Sequence, residues 1–299
     1  MKTPQPTFIE LNKALGLDVY LKREDEHKYS SHKGRSIPLM VKKYNKEEDI
    51  TNFVISSSGN AAIAAIHTIQ AHNKNNANNL TLKIFVGQNI DKKKLKVLKA
   101  IIEDKNISLE QVKKPKQSAF ALDKAGKAKN LRQSTDDNAL MGYYELAEEV
   151  NNIPNLQAIF VPTSSGTTAQ GLGMAFDIIP ASKFGGQQHP QIHIVQTTSC
   201  HPIAEEFDKN FEATETSLAG AIVDNVAHRK EKVIEQIKKS SGSGWIVTDE
   251  ELKNAINLVE ETCKIKISYN SALSVAGLIK AMNSGWKFDG AIVCLITGM

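Results

Sequence analysis

Two polar segments in the first sixty residues contain groups that could attack a carbonyl carbon or bind an anion. In residues 31–35 (SHKGR), the amine of Lys33 could act as a nucleophile and as a base in its uncharged form. On its own, Lys33 could equally be one of the many surface lysines of this chain. Residues 56–60 (SSSGN) lie between a strand-like run and an alanine-rich helical pattern. The backbone N–H groups at such a helix start favour a phosphate or a carboxylate, although an ordinary N-terminal cap would explain the same residues.

Two further segments follow predicted strands in the second half of the chain. Residues 162–171 (PTSSGTTAQG) form a loop of small and hydroxyl-bearing residues, which would let the backbone approach a phosphate. The loop lacks the Gly-Lys-Ser/Thr ending of a P-loop, and its glycines are not spaced as in a dinucleotide fingerprint. Thr297 and Gly298 come directly after the last predicted strand, where a hydroxyl could bind a ligand or simply end the strand.

These segments lie on elements that alternate between short apolar strands and helices. The sequence predicts strands over 51–56, 82–87, 157–162, 192–196 and 290–296. It predicts helices after Asn60, over 95–102, after the 163–168 loop, from Thr248 with its capping-box partner Glu251, and from Asn270 onward. Residues 72–79 (HNKNNANN) predict a polar loop. The alternation indicates βαβ units and a mainly parallel sheet, in which ligands bind at the carboxyl ends of the strands.

The bulk composition narrows the class of protein. The chain has 299 residues, of which 41% are hydrophobic and 23% charged, as in an ordinary globular protein with an ample core. The net charge of +4 is small for a nucleic-acid binder, and Lys92, Lys93, Lys94 and Lys96 most simply form a solvated helix face.

Three cysteines far apart in sequence indicate a reducing compartment and no metal pair. Without an apolar run long enough for a membrane span or a signal, we expect a cytoplasmic protein with no membrane partner.

Taken together and in order, the segments resemble the fold-type II pyridoxal-phosphate enzymes, the tryptophan synthase β-like family that includes threonine synthase, threonine/serine dehydratase and cysteine synthase. The motifs that carry the resemblance are Lys22-Arg23-Glu24-Asp25, Ser31-His32-Lys33-Gly34-Arg35, Ser57-Ser58-Gly59-Asn60, Ser164 to Thr168, and Thr297-Gly298. Thr3-Pro4, Pro6-Thr7 and residues 138–149 (NALMGYYELAEE) also look like parts of that family. No single motif is decisive, but the ordered set spans nearly the whole chain.

The resemblance implies an α/β fold of two domains, with mainly parallel sheets flanked by helices, and pyridoxal 5′-phosphate as the cofactor. Residues 1–44 and 145–299 would form the larger, cofactor-binding domain. Residues 45–144 would form a smaller, mobile domain that carries the Ser-Ser-Gly-Asn loop. A homodimer is the usual state of the family.

The resemblance also implies a role for each motif residue. Lys33 would hold the cofactor as a Schiff base and would serve as the acid and base on substrate carbons. Asn60 would contact the ring oxygen of the cofactor, and Thr297 its pyridine nitrogen. The substrate carboxylate would be bound by Ser57, Ser58 and Gly59. The cofactor phosphate would be bound by Ser164, Ser165, Gly166, Thr167 and Thr168.

The sequence departs from the family at a few positions. Ser164 and Thr167 stand where the family usually has glycines. His32 precedes Lys33 where enzymes that act on threonine usually have phenylalanine, and a His-Lys pair is more like tryptophan synthase β. His32 could pack or stack near the cofactor. Residues 219–221 and 270–272 are further candidates for the substrate side of the site.

The favoured hypothesis is a threonine-synthase-like enzyme that converts O-phosphohomoserine and water to threonine and phosphate. It is favoured because Thr297-Gly298 resembles the ending of threonine synthase best. The resemblance also implies a hydroxyl at the ring nitrogen, which gives a weaker electron sink than a carboxylate and suits elimination and replacement at Cβ or Cγ better than transamination. Threonine/serine dehydratase and cysteine synthase are alternatives, and each acts on a small amino acid. A homologue that has lost catalysis and binds a metabolite is a different class of alternative. An unrelated nucleotide binder using the 163–168 loop would lack a magnesium or ribose partner.

Overall fold

The computed structural model describes residues 2–180 and 189–298, in which strands and helices alternate along the chain. In chain order, the strands are β1 (Val19–Arg23), β2 (Asn52–Ser56), β3 (Thr81–Gly87), β4 (Ile107–Val112), β5 (Lys129–Asn130), β6 (Leu156–Pro162), β7 (Gln191–Thr197), β8 (Ser243–Val247) and β9 (Ala291–Ile296). The α-helices are α1 (Ile9–Leu15), α2 (Lys33–Glu48), α3 (Asn60–Asn75), α4 (Lys92–Ile101), α5 (Pro115–Lys124), α6 (Tyr144–Val150), α7 (Thr167–Ile178), α8 (Lys230–Lys239), α9 (Asp249–Cys263) and α10 (Tyr269–Asn283).

The chain divides into two units, called here the larger unit and the smaller unit. The larger unit contains the chain through His27 and again from Tyr143 onward, and the smaller unit is Lys28–Gly142. The sequence-based boundaries, after residues 44 and 144, differ from this division mainly at the first position. Helix α2 groups with the smaller unit, because its buried side chains, including Ile37 and Met40, join the core beneath the sheet of that unit.

The larger unit is built on a five-stranded sheet with the strand order β1-β9-β6-β7-β8, and every pairing in it is parallel. Successive residues of the central strands point to opposite faces, as the strand period of two requires. Phe160 of β6 packs in the core with α1, α9 and α10, whereas Ile159 and Val161 pack in the core with α6, α7 and α8. A sheet covered on both faces explains why β6 and β9 read as continuous apolar runs.

The smaller unit is built on a four-stranded parallel sheet with the order β4-β3-β2-β5. Side chains of α2, α3 and α4 pack on one face of it, and α5 packs on the other face through Ala119, which contacts Val54 and Phe85. Helix α2 ends close before β2 begins, so its first turn lies towards the edge at which β2 ends. The hydrogen bond from Gln133, just beyond β5, to Ser36 in that first turn supports this placement.

The parallel α/β fold confirms the fold class predicted from the sequence, and the five predicted strands are present as β2, β3, β6, β7 and β9. The capping box of Thr248 and Glu251 opens α9 as predicted. The prediction of a loop over 72–79 was wrong for its first half, because α3 continues through Asn75. The side chain of Asn73 exchanges hydrogen bonds with the backbone of Leu80, so the polar run closes the helix onto the next strand.

Two kinds of feature are absent from the residues that the structure describes. In residues 2–180 and 189–298, no helix combines the length and the apolar character that crossing a membrane requires. Over the same ranges, no group of three or more His, Cys, Asp or Glu side chains is arranged to hold a metal ion.

A buried histidine lies within the aromatic core of the larger unit. The ring of His193 on β7 stacks on Phe160 with 4.5 Å between ring centroids, and the indole of Trp245 donates to its Nδ1 atom at 3.1 Å. Nδ1 is therefore the unprotonated nitrogen, and Nε2 donates to the Gln191 side chain at 3.1 Å. Burial lowers the pKa of His193 to about 3, so the ring stays neutral near neutral pH.

We expect His193 to make the larger unit sensitive to acid. In the unfolded chain its imidazole takes up a proton at pH ~6.5, whereas in the folded protein it resists protonation until the pH approaches its lowered pKa of about 3. The contribution of neutral His193 to the free energy of unfolding is therefore fully present above the pKa of the unfolded chain. Below that pKa it declines by up to about 1.4 kcal/mol per pH unit. Urea unfolding of His193→Gln at a series of pH values should show this slope reduced. The variant of the exposed His228, His228→Gln, should retain the slope, and equal slopes in His193→Gln and the unsubstituted protein would refute the idea.

Candidate functional site

The first candidate segment of the smaller unit follows β2 and opens α3. Gly59 is the N-cap residue and has no side chain with which to cap the helix, and Asn60 is the first helical residue. The Ser57 hydroxyl accepts a hydrogen bond from the Gly59 N–H at 3.3 Å. No side chain caps the first turn of α3. An ordinary side-chain cap therefore does not account for this loop. The amides at the start of α3 are left facing the edge of the sheet where parallel folds bind anions.

Lys33 is the first residue of α2 and is half-buried. Within residues 2–180 and 189–298, its amine makes neither a hydrogen bond nor an ion pair. Two residues earlier, the hydroxyl of Ser31 is fully buried and has no hydrogen-bond partner. Leaving such a group unsatisfied costs on the order of 1–3 kcal/mol. An acceptor atom of a ligand at the start of α2 would relieve that cost.

The first turn of α2 is held in place by the segment that follows β5. Gly142 packs directly on the backbone of Ser36, so that a Cβ atom at position 142 would lie 2.4 Å from the Ser36 Cα atom. The side chain of Gln133 donates to the Ser36 hydroxyl. Further along α2, the Tyr44 hydroxyl donates to Asp136 and accepts from Asn138 at 2.9 Å. The helix that carries Lys33 is therefore held both at its first turn and at Tyr44.

The second candidate loop, in the larger unit, follows β6 and opens α7. Gly166 is its N-cap residue, with a φ of 86° in the left-handed region that favours glycine. A Cβ atom at this position would also lie 2.5 Å from Cγ2 of Val233 on α8. Both the backbone conformation and the packing therefore require glycine here, and no side chain caps α7.

The hydroxyl groups of this loop are partly engaged with the protein itself. Ser164 Oγ accepts hydrogen bonds from the backbone N–H groups of Val223 at 3.1 Å and Asp224 at 3.3 Å. Ser165 and Thr167 bond to each other through their hydroxyls at 2.9 Å. Serine at position 164, where the family usually has glycine, thus anchors the 223–224 segment. Its proton is still available to a phosphate oxygen.

Thr297 is buried and directly follows β9, the strand next to β6 in the sheet. The adjoining Gly298 carbonyl accepts hydrogen bonds from the hydroxyls of Ser268 and Ser271, both at 2.7 Å, at the start of α10. Asn270 in turn accepts from the backbone N–H of Ala221 at 3.0 Å. The two segments suggested for the substrate side, 219–221 and 270–272, are therefore joined to each other. Ser271 bonds to the residue that follows Thr297.

Lys22 and Glu24 of the first motif form a buried network with Thr3 and Glu149 in the larger unit. The Lys22 amine donates to the Glu149 carboxylate and, at 2.8 Å, to the carbonyl of Thr3. Thr3 also donates through its hydroxyl to Glu24 and through its N–H to Glu149. Because all four residues are buried, this network joins the N-terminal segment, β1 and α6. The sequence does not indicate these contacts, because the partners lie up to 146 residues apart.

Comparison with known proteins identifies the family. A family model described as "Pyridoxal-phosphate dependent enzyme" matches residues 2–298. The chain belongs to this family. The threonine synthase of Bacillus sp. (strain ULM1) is 24% identical to it over 305 residues, covering 99% of this chain and 82% of the relative.

Solved structures agree with this fold. The serine racemase of Dictyostelium discoideum superposes with a TM-score of 0.80 at 20% identity, covering 100% of this chain and 92% of that one. Threonine deaminase isoform 2 of Solanum lycopersicum superposes with a TM-score of 0.78 at 18% identity, covering 100% and 84%. The protein is a fold-type II pyridoxal-phosphate-dependent enzyme, and its cofactor is pyridoxal 5′-phosphate.

The residues that the structure describes fit this cofactor. An amine without a partner at Lys33 suits an aldehyde, and the unpartnered Ser31 hydroxyl can donate to an oxygen. The uncapped start of α7, with its amides and the hydroxyls of Ser165 and Thr168, suits a phosphate group.

Proposed function

We propose that the enzyme eliminates or replaces a group at Cβ or Cγ of a small amino acid, in the manner of threonine synthase. Its reaction would convert O-phosphohomoserine and water to threonine and phosphate, as a carbon–oxygen lyase. Relatives named threonine synthase support this proposal, both over the whole chain and, in Mycobacterium leprae (strain TN), over 66 residues at 39% identity.

The observation that carries the proposal is the residue at the end of β9. Thr297 presents a hydroxyl at the position for which the family resemblance implies contact with the pyridine nitrogen. A hydroxyl carries no negative charge that would hold a proton on that nitrogen. When bound, the cofactor supplies an electron sink for the substrate's Cα, and a weaker sink favours loss or replacement of a leaving group over transamination.

We assign the other roles residue by residue. Lys33 would bind the cofactor covalently and move protons at the substrate's carbon atoms. Asn60 would hold the cofactor's ring oxygen. Ser57, Ser58 and Gly59, at the uncapped start of α3, would bind the substrate carboxylate. The cofactor phosphate would lie at the start of α7, held by Ser164, Ser165, Gly166, Thr167 and Thr168.

The test is a panel of substrates given to the holoenzyme. We expect O-phosphohomoserine to yield threonine and phosphate in equal amounts. Release of a 2-oxo acid from threonine or serine would instead identify a dehydratase. Formation of cysteine from O-acetylserine and sulfide would identify a cysteine synthase. Lys33→Ala protein gives the background rate for each assay. A holoenzyme that turns over none of these substrates would contradict the proposal and favour a metabolite-binding homologue.

A further inference from the structure

An open cleft of about 400 Å³ lies at the edge of the smaller unit's sheet where its strands end. Its lining comes from the ends of three neighbouring strands and consists of Ser58, Gly87, Gln88, Asn89, Ile90 and Lys113. Ser58 follows β2, the 87–90 turn follows β3, and Lys113 directly follows β4. Clefts of a few hundred Å³ at this edge of a parallel sheet are the usual place for a small ligand.

Lys113 gives this cleft a positive charge that no described side chain neutralises. It is the one ionisable residue among those lining the cleft, and its exposed amine makes no ion pair in the described part of the chain. The acidic residues close to it in sequence or fold are engaged elsewhere. Glu110 pairs with Lys83 at 3.0 Å, and Asp91 caps α4 through the N–H groups of Lys93 and Lys94.

The 87–90 turn that lines the cleft is held in place by hydrogen bonds within the smaller unit. The side chain of Gln111 on β4 donates to the carbonyl of Gln88 at 3.2 Å. The Ile90 N–H donates to the carbonyl of Gly87 at 3.1 Å, which closes the turn after β3. The amine of Lys113 therefore belongs to a formed cleft, unlike the lysines along the exposed face of α4.

The net charge of the smaller unit also favours an anionic ligand. Residues 28–142 contain 21 Lys and Arg against 10 Asp and Glu, a net charge of +11, whereas the whole chain carries only +4. A positive field of this kind raises the local concentration of anionic ligands and speeds their capture. The positive net charge would attract an anion to the smaller unit, and the ammonium group of Lys113 would bind it in the cleft.

We propose that this cleft is the subsite for a phosphate group on the side chain of the substrate, with Lys113 as its counter-charge. This inference rests on the proposed function, because Ser58 belongs to the loop assigned to the substrate carboxylate. A substrate bound there by its α-carboxylate would have its side chain near the cleft, because Ser58 belongs to both the loop and the cleft lining. A lysine ammonium binds phosphate as a point charge with three donors.

The kinetic test compares Lys113→Met with Lys114→Met in the holoenzyme. Lys114 is the adjacent exposed lysine, and it does not line the cleft. For O-phosphohomoserine we expect KM to rise at least about tenfold in Lys113→Met with little change in kcat, since a charged hydrogen bond is lost. Lys113→Arg should restore most of the affinity, and Lys114→Met should match the unsubstituted enzyme. Equal KM values for the two methionine variants would overturn the subsite.

A binding test separates this inference from the proposed function. Inorganic phosphate is titrated by calorimetry into holoenzyme, whose own cofactor site is already filled. Binding that is weakened about tenfold in Lys113→Met, but not in Lys114→Met, would support the subsite even if O-phosphohomoserine is not turned over. Binding that is absent, or equal in both variants, would overturn the subsite and leave the reaction assays to decide the proposed function.

Discussion

Replacing Lys33 with alanine should remove both the covalent hold on the cofactor and the activity. The amine stands at the first residue of α2 without a hydrogen bond or ion pair to any described residue, so nothing in the fold depends on it. We expect the visible absorbance of the bound cofactor to disappear or change markedly. We expect kcat to fall by at least about 10³-fold, because a nucleophile and a general acid and base are lost together. Thermal stability without cofactor should change little.

The control for this substitution is Lys42→Ala, at an exposed position of the same helix. That variant should keep the absorbance and the rate of the unsubstituted enzyme. A second readout does not require turnover: borohydride treatment of the holoenzyme, followed by digestion and mass spectrometry, should leave the cofactor attached to the peptide that contains Lys33. Attachment to another lysine, or a coloured and active Lys33→Ala protein, would reject Lys33 as the cofactor's lysine.

The strands that sequence reasoning predicted are those whose burial leaves an apolar run. β6 and β9 are covered on both faces, so nearly every residue in them is apolar. β4 (ISLEQV) was missed because it lies at the edge of its sheet and exposes half of its residues. β5 has only two residues, and β8 begins with serine and glycine. The residues of β5 and β8 show no alternation of apolar and polar side chains. These segments become strands because they pair with neighbouring strands, not because of their composition.

The candidate site was predictable only in part, for a similar reason. The loops after β2, β6 and β9 follow from the rule that parallel sheets bind ligands at the ends of their strands. The contacts that fix those loops join distant parts of the chain. Ser164 holds the backbone of residues 223–224, and Gly142 lies against Ser36. No local pattern in the sequence indicates which glycine or serine makes such a contact.

Gly142→Ala should disturb the position of Lys33 without touching any residue of the proposed site. The added Cβ atom would lie 2.4 Å from Ser36 Cα and 2.6 Å from the Arg35 carbonyl, both backbone atoms that cannot rotate away. Either the 137–142 segment or the first turn of α2 must therefore shift. Overpacking of this kind costs about 1–3 kcal/mol of unfolding free energy. A displacement of a catalytic group by about 1 Å can lower kcat by about 100-fold.

The comparison that isolates this effect is Met141→Ala, because Met141 is the neighbouring residue and its side chain is 55% exposed. Met141→Ala adds no atom against α2 and should retain the stability and kcat of the unsubstituted enzyme. Gly142→Ala should still bind the cofactor through Lys33, because the amine itself is unchanged, and should lose mainly kcat. That split distinguishes it from Lys33→Ala, in which the absorbance of the cofactor changes as well. If Gly142→Ala proved as stable and as active as Met141→Ala, the contact between residue 142 and the start of α2 would not be what positions the lysine.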